Sequence, residues 1–319
     1  MQAKPPKVVF LDRFAIRAPL RALRFDHEWV EYPTTAPEEA AARLAGARIA
    51  ITNRVRFDDA LLAQAPALEL IAVSATGYEC IDIEACRRRG VTVTNLRDWS
   101  TPAVAEHTFA MILALRRQLA RYHAAATGGA WAASNFYGVL FDPLPPGLIG
   151  ATLGIIGHGA LGRRLAALGA AFDMQVLIAE RKGQPPRAGR VAFDEVLARA
   201  DVLCVACPAL PDTLGLIGAT ELARMRPGAV LVNTARGGIV DEEALADALR
   251  AGRLAGAGVD SLSREPPRDG NPLLADDLTN LILTPHMAFA SDYTLAVLAE
   301  QLLANIEAFV AGERRNVVT

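Results

Sequence analysis

The sequence predicts an α/β protein built from two doubly wound domains. Three observations carry that reading. Short β-rich apolar runs alternate with helical ones along most of the chain, the pattern of parallel sheets covered by helices. One strand-to-helix junction holds Gly157, Gly159 and Gly162 at the G-x-G-x-x-G spacing. A length of 319 residues, with 52% hydrophobic and 21% charged content, suffices for two cores.

In chain order, residues 8–11 read as a strand, 38–45 as a helix, 48–52 as a strand and 58–64 as a helix. A strand at 70–74, a helix at 83–89 closed by Gly90 and a strand at 91–95 complete this part, which has no phosphate-binding glycine loop. Pro102 then opens a long helix, with Ser100 or Thr101 as N-cap. Its apolar positions recur through Ala105, Phe109, Met111, Ile112 and Leu115 to about Tyr122. Residues 127–146, rich in Gly, Pro and aromatics, read as an ordered surface loop. A second α/β series follows, with strands near 153–156, 175–179, 201–207, 229–233, 255–259 and 281–284. The chain leaves this series near 285, and a last helix at 292–310 is apolar on one side.

The glycine run carries the first chemistry. In a strand-turn-helix the first glycine makes the turn, the second admits a pyrophosphate, and the third lets the helix pack on the strand. The helix N-terminus offers unpaired N–H groups and positive dipole to phosphates. The next apolar run ends at Glu180, eighteen residues past Gly162 and close to the spacing of a ribose-binding acid. The expected cofactor is NAD, since Glu180 would repel a 2′-phosphate. Arg181 and Lys182 pull the other way and leave NADP possible.

A net charge of −2 gives no polybasic face, so no nucleic acid or membrane partner is expected. Neither a signal peptide nor an apolar run of membrane-spanning length is seen, and a cytoplasmic location follows. Cys204 and Cys207 form a C-x-x-C inside an apolar run that reads as a strand. No second pair or histidine completes a metal site, so they read as core thiols, like Cys80 and Cys86, and no metal is expected.

Three polar clusters stand at ends of predicted strands, where open α/β sheets bind ligands. They are Asn233-Thr234-Ala235-Arg236-Gly237, Asp260 followed by Glu265, and Thr284-Pro285-His286. Singly, each reads as a surface salt bridge, a turn acid or a capped turn residue. Together they could bind an anion, orient an imidazole and transfer a proton. His158, within the glycine loop, reads as facing solvent or a phosphate, and His107 as a satisfied core or interface residue.

With these motifs in this order, nearly the whole chain resembles the D-isomer-specific 2-hydroxyacid dehydrogenases. The matching residues include Ala75-Thr76-Gly77, 104–108, the glycine loop, Cys207-Pro208, 233–237, 258–260, Glu265-Pro266 and 284–286. The run from Ala130-Trp131 to Thr152 is most similar to the glycerate dehydrogenase / hydroxypyruvate reductase branch. The resemblance implies a Rossmann NAD-binding domain, 101–286, inserted in a smaller flavodoxin-like substrate domain, 1–100 and 287–319. It implies a catalytic set in which Arg236 binds the substrate carboxylate and carbonyl, Glu265 orients His286, and His286 is the acid/base. Ala75, Thr76 and Gly77 would hold the substrate carboxylate, with the cleft between domains closing over both ligands. Cofactor contacts are implied at Gly157, Gly159, Ala160, Leu161, Gly162, Glu180, Arg181, Cys207, Pro208, Thr234, Ala235, Asp260, His286 and Thr108. The partners implied are a small 2-keto or 2-hydroxy acid and a second copy of the chain, with residues 102–122 as candidate interface. Glu79-Cys80 and Phe289 depart from the branch's usual residues and leave the particular substrate open. Two alternatives keep the same fold. One is a non-catalytic NAD(H)-sensing corepressor-like protein. The other, a phosphoglycerate dehydrogenase lacking its regulatory domain, loses ground because only about eight residues follow the last helix.

Overall fold

Two parallel sheets organise the protein in a computed structural model that describes residues 4–319. The chain divides into two compact units. One comprises the described residues up to Ser100 together with Ala290–Thr319, the other Thr101–Phe289.

The first unit begins β1 (Lys7–Phe10), β2 (Glu28–Glu31), α1 (Pro37–Arg43), β3 (Ile49–Thr52), α2 (Asp59–Ala63), β4 (Leu70–Val73), α3 (Ile83–Arg89) and β5 (Thr92–Thr94). Its parallel strands lie in the order β2-β1-β3-β4-β5, the flavodoxin-like arrangement. β3 and β4 are buried along their whole length, which is why they read as unbroken apolar runs. The Asp82 carboxylate caps α3 by accepting from the Ala85 N–H, and Gly90 ends it in left-handed conformation. β2 was not expected. It is an edge strand with only Trp29 and Val30 between two acids, too short an apolar signal to read. Strand order reverses at β1, and there the Asp12 carboxylate accepts from the Asn53 and Arg54 amides at 2.7–2.9 Å. Burial pushes the Asp12 carboxyl up, and these hydrogen bonds oppose the shift.

The second unit contains α4 (Thr101–Arg116), α5 (Leu119–Thr127), β6 (Thr152–Ile156), α6 (Ala160–Ala171), β7 (Gln175–Ile178), α7 (Phe193–Arg199), β8 (Val202–Val205), α8 (Ala219–Arg224), β9 (Val230–Asn233), α9 (Glu242–Arg250), β10 (Gly256–Val259) and β11 (Leu281–Leu283). The sheet order is β11-β10-β9-β8-β6-β7, all parallel. Alternate residues feed two cores, one on each face. Leu153, Ile155, Val202, Cys204, Val230 and Val232 join Phe109, Ile112 and Leu165. Ile156, Leu203, Val205 and Leu231 join Val196, Leu222 and Leu245. A corrected expectation is the long helix from Pro102. It is two helices, because Gln118 adopts φ +51° and turns the chain between α4 and α5.

The cysteines are unpaired. Burial pushes the Cys204 thiol up to about 12, while Cys207 lies beyond the end of β8, partly buried. Among the described residues no group of His, Cys, Asp or Glu could hold a metal ion.

The chain then returns to the first unit as α10 (Asp292–Val310). By length and composition this helix could cross a membrane. It instead buries Leu298, Leu302, Leu303 and Ile306 and packs on β4. Asn305 donates to the Asn95 carbonyl at 2.9 Å. Val317 then bridges Thr94 antiparallel, extending the β5 edge.

Candidate active site

β6 is flanked by β7 on one side and β8 on the other, so the strand order of the second sheet reverses at the β6/β8 boundary. The glycine loop leaves the sheet there, where doubly wound folds place their ligands. Gly157 has φ +99°, and a Cβ on it would lie 2.5 Å from the Ala206 carbonyl oxygen and 2.8 Å from the Cys207 nitrogen. Only glycine lets the loop press against the segment after β8, which brings Cys207 beside it. Gly159 caps α6 and faces open space, the room a pyrophosphate would need. Ala160, Leu161 and Gly162 form the first turn of α6, whose N–H groups suit phosphate. A dinucleotide therefore fits these residues.

Glu180 stands just past β7, at the strand end the sequence suggests. It is buried, and Arg187 grips it with a two-pronged ion pair, Nε–Oε2 and Nη2–Oε1 both 2.7 Å. The Arg181 amide donates to the same carboxylate at 2.9 Å. The hydrogen bonds from Arg187 hold the Glu180 carboxyl down at about 2. Its oxygens already accept these hydrogen bonds, so a ribose would have to compete with Arg187 for them. His158 has its imidazole pushed down by partial burial, then by nearby Arg190 and Arg163.

The chemistry-bearing side chains follow three adjacent strands, β9, β10 and β11. At the end of β9 the Asn233 side chain shapes the turn. Its Nδ2 donates to the Arg236 carbonyl at 2.9 Å and its Oδ1 accepts from the Ala235 amide at 3.1 Å. Arg236 is half-buried and has no carboxylate partner among the described residues. Its Nη1 donates to the Ala235 carbonyl at 2.9 Å. After β10, Glu265 accepts from the Leu262 amide through Oε1 (2.9 Å) and lies 2.6 Å from His286 Nδ1 through Oε2. With Nδ1 committed to Glu265, Nε2 is the ring atom left to exchange a proton. His286 itself has φ +51°, held by donation of its amide to the Asp260 and Thr284 carbonyls at 2.8 and 3.0 Å.

Asp260 locks this turn from beneath. Buried, it accepts from the Thr284 hydroxyl (2.6 Å) and Met287 amide (2.9 Å) on Oδ1, and from the Ala288 amide (3.0 Å) on Oδ2. The resemblance had implied a cofactor contact for it, and its carboxylate is chiefly engaged in holding the His286 loop. His107, read from the sequence as a satisfied residue, is one: its Nε2 lies 3.1 Å from Thr284 Oγ1, and it joins this network from α4. Its only sequence signal was a histidine on an otherwise apolar helix. Thr108 and Thr234, also implied as cofactor contacts, are buried with their hydroxyls 2.7 Å apart, pinning α4 to the turn after β9.

The Arg236 turn and the Glu265 loop touch through Gly237. A Cβ there would fall 2.0 Å from the Leu262 carbonyl carbon and oxygen, backbone atoms that cannot rotate away. Gly237→Ala should therefore displace the Leu262–Glu265 link and lower kcat, though no catalytic side chain changes. A displacement near 1 Å can cost about 10²-fold. Steady-state kinetics with circular dichroism would check this, and a folded variant within twofold of wild type would show the two loops to be uncoupled.

In the other unit, the Ala75-Thr76-Gly77 loop follows β4 and is anchored locally. The Ala75 carbonyl accepts from the Leu96 amide (2.9 Å), the Thr76 carbonyl from Asn95 Nδ2 (2.8 Å), and the Thr76 hydroxyl from Trp99 Nε1 (3.0 Å).

Known proteins place this arrangement. Residues 109–288 match the profile described as D-isomer specific 2-hydroxyacid dehydrogenase, NAD binding domain. The chain is 45% identical over 313 residues, 98% of each chain, to the glycerate dehydrogenase of Methylorubrum extorquens. It is 36% identical over 270 residues, 82% of this chain and 80% of the other, to the glyoxylate reductase of Thermococcus litoralis. Among solved structures, the D-lactate dehydrogenase of Aquifex aeolicus, complexed with NAD and lactic acid, superposes with a TM-score of 0.77 at 28% identity, covering 98% of both chains.

Proposed function

The chain belongs to the D-isomer-specific 2-hydroxyacid dehydrogenase family, and on that premise we propose that it reduces a small 2-keto acid to the D-2-hydroxy acid, and the reverse. Relatives named hydroxypyruvate reductase and glyoxylate reductase make those two acids the first substrates to try. The observation that carries the reading is the 2.6 Å contact between His286 Nδ1 and Glu265, one strand away from Arg236, which has no carboxylate partner among the described residues.

A nicotinamide dinucleotide bound at the glycine loop supplies the hydride. The protein's residues handle the proton and the charge. In reduction, protonated His286 gives the Nε2 proton to the carbonyl oxygen, and Glu265 keeps the ring oriented and its positive charge paired. Arg236 stabilises the negative charge on that oxygen and orients the carboxylate. In oxidation, neutral His286 takes the hydroxyl proton. Following dinucleotide oxidation with a panel of 2-keto acids, and resolving the product's hand, tests this. Turnover of none of them would favour the non-catalytic corepressor-like reading.

We also propose a homodimer. α4 turns Ala105, Phe109, Met111 and Ile112 into its own unit, while Leu119, at the start of α5, is exposed. The exposed apolar surface lies just beyond, at Trp131, Phe136, Tyr137, Leu140, Leu144 and Ile149, with Tyr137 86% exposed. So many exposed apolar residues within one segment suit a partner surface. Analytical ultracentrifugation should give twice the protomer mass, and Tyr137→Asp with Leu140→Asp should shift it toward monomer. A wild-type protein sedimenting as monomer at micromolar concentration would refute the dimer. Unpaired cysteines throughout suit a reducing, cytoplasmic compartment.

A further inference from the structure

We propose that Arg187 sets the choice of dinucleotide by masking Glu180, so that the adenosine end of the site accepts a 2′-phosphate. The proposal rests on the dinucleotide reading of the glycine loop. A carboxylate at this strand end ordinarily receives the ribose 2′-hydroxyl and turns a 2′-phosphate away. Here both of its oxygens are taken by the Arg187 guanidinium at 2.7 Å, and a third bond comes from the Arg181 amide. A two-pronged pair of this kind neutralises the acid and occupies the lone pairs a ribose would need.

The surroundings are then cationic. The stretch 181–190 holds Arg181, Lys182, Arg187 and Arg190 and no acid. Lys182 is committed to Glu221 at 2.9 Å, and Arg190 donates to the Ala179 carbonyl at 3.4 Å. Arg181 is exposed and has no carboxylate partner among the described residues. Arg190 and Arg163 also stand close enough to the glycine loop to be felt by His158. With Glu180 and Glu221 both paired, this rim carries an excess of positive charge where a 2′-phosphate would lie. The chain should therefore bind the phosphorylated dinucleotide at least as tightly as the plain one.

The test is calorimetric binding of ADP-ribose and 2′-phospho-ADP-ribose, with kcat/KM for NADH and NADPH measured beside it. Wild type should bind the 2′-phosphate form equally or more tightly. Arg187→Ala unmasks Glu180 and should weaken the 2′-phosphate form by about tenfold or more, one ion pair's worth, while ADP-ribose, whose ribose hydroxyl gains the freed acceptor, binds as tightly as before or more so. Adding Glu180→Gln to Arg187→Ala should restore binding of the 2′-phosphate form, which a merely unfolded loop would not do. Wild type favouring ADP-ribose by tenfold or more would overturn the proposal, as would an unchanged ratio in Arg187→Ala or a double variant that stays weak. If wild type binds neither compound, the dinucleotide reading itself fails.

Discussion

Replacing His286 by alanine is expected to lower kcat by about 10²–10⁴ in both directions, the usual contribution of a positioned acid/base group. The ring is held at two points, its Nδ1 by Glu265 at 2.6 Å and its backbone by the Asp260 and Thr284 carbonyls. Such double anchoring suits a group that must present one nitrogen in a fixed place. Glu265→Gln keeps the shape but loses the charge that balances the imidazolium, so it should fall short of the His286→Ala loss. Because the two act as one unit, the double variant should be little worse than His286→Ala alone. Dinucleotide binding, followed by fluorescence titration, should be unchanged in all three. A His286→Ala enzyme retaining more than a tenth of wild-type kcat would remove His286 from the chemistry, and losses that simply multiply would show that the two do not act as one unit.

The strands were legible where burial makes them uniform. Val202–Val205 and Val230–Asn233 are buried along their length, so composition alone marked them. β2 escaped notice because an edge strand buries little and its Glu28 and Glu31 read as solvent-facing. The break before α5 escaped for a different reason. Gln118 at φ +51° carries no glycine or proline to announce a turn, and the helix periodicity runs through it. At the site, spacing found Glu180 but could say nothing of Arg187, seven residues on, because a pairing across a loop has no sequence period. The same holds for His107 and Thr284, which lie 177 residues apart and meet only when α4 packs beside the turn after β11. Motif order identified the groups that could react. The side chains that hold them came from packing.

Arg236 should matter most for substrates that carry a carboxylate beside the carbonyl. Its guanidinium has no carboxylate partner among the described residues, and the Asn233 bonds fix the turn that carries it. A planar cation so placed can bridge a carboxylate oxygen and the carbonyl oxygen, orienting the substrate and steadying the charge that develops in the transition state. Removing one partner of a hydrogen-bonded charge pair costs roughly 2–5 kcal/mol. At about 1.4 kcal/mol per tenfold, Arg236→Ala should lose ~30-fold to several-thousand-fold in kcat/KM on glyoxylate. Arg236→Lys keeps the charge but loses the planar fork, and should remain seriously impaired. A simple aldehyde lacks the carboxylate, so wild type should use it poorly and the substitutions should cost it less. Steady-state kinetics of the three enzymes on both substrates decide the matter. If wild type turned over the aldehyde as well as glyoxylate, or if Arg236→Ala stayed within a few-fold on glyoxylate, Arg236 could not be the group that recognises the acid.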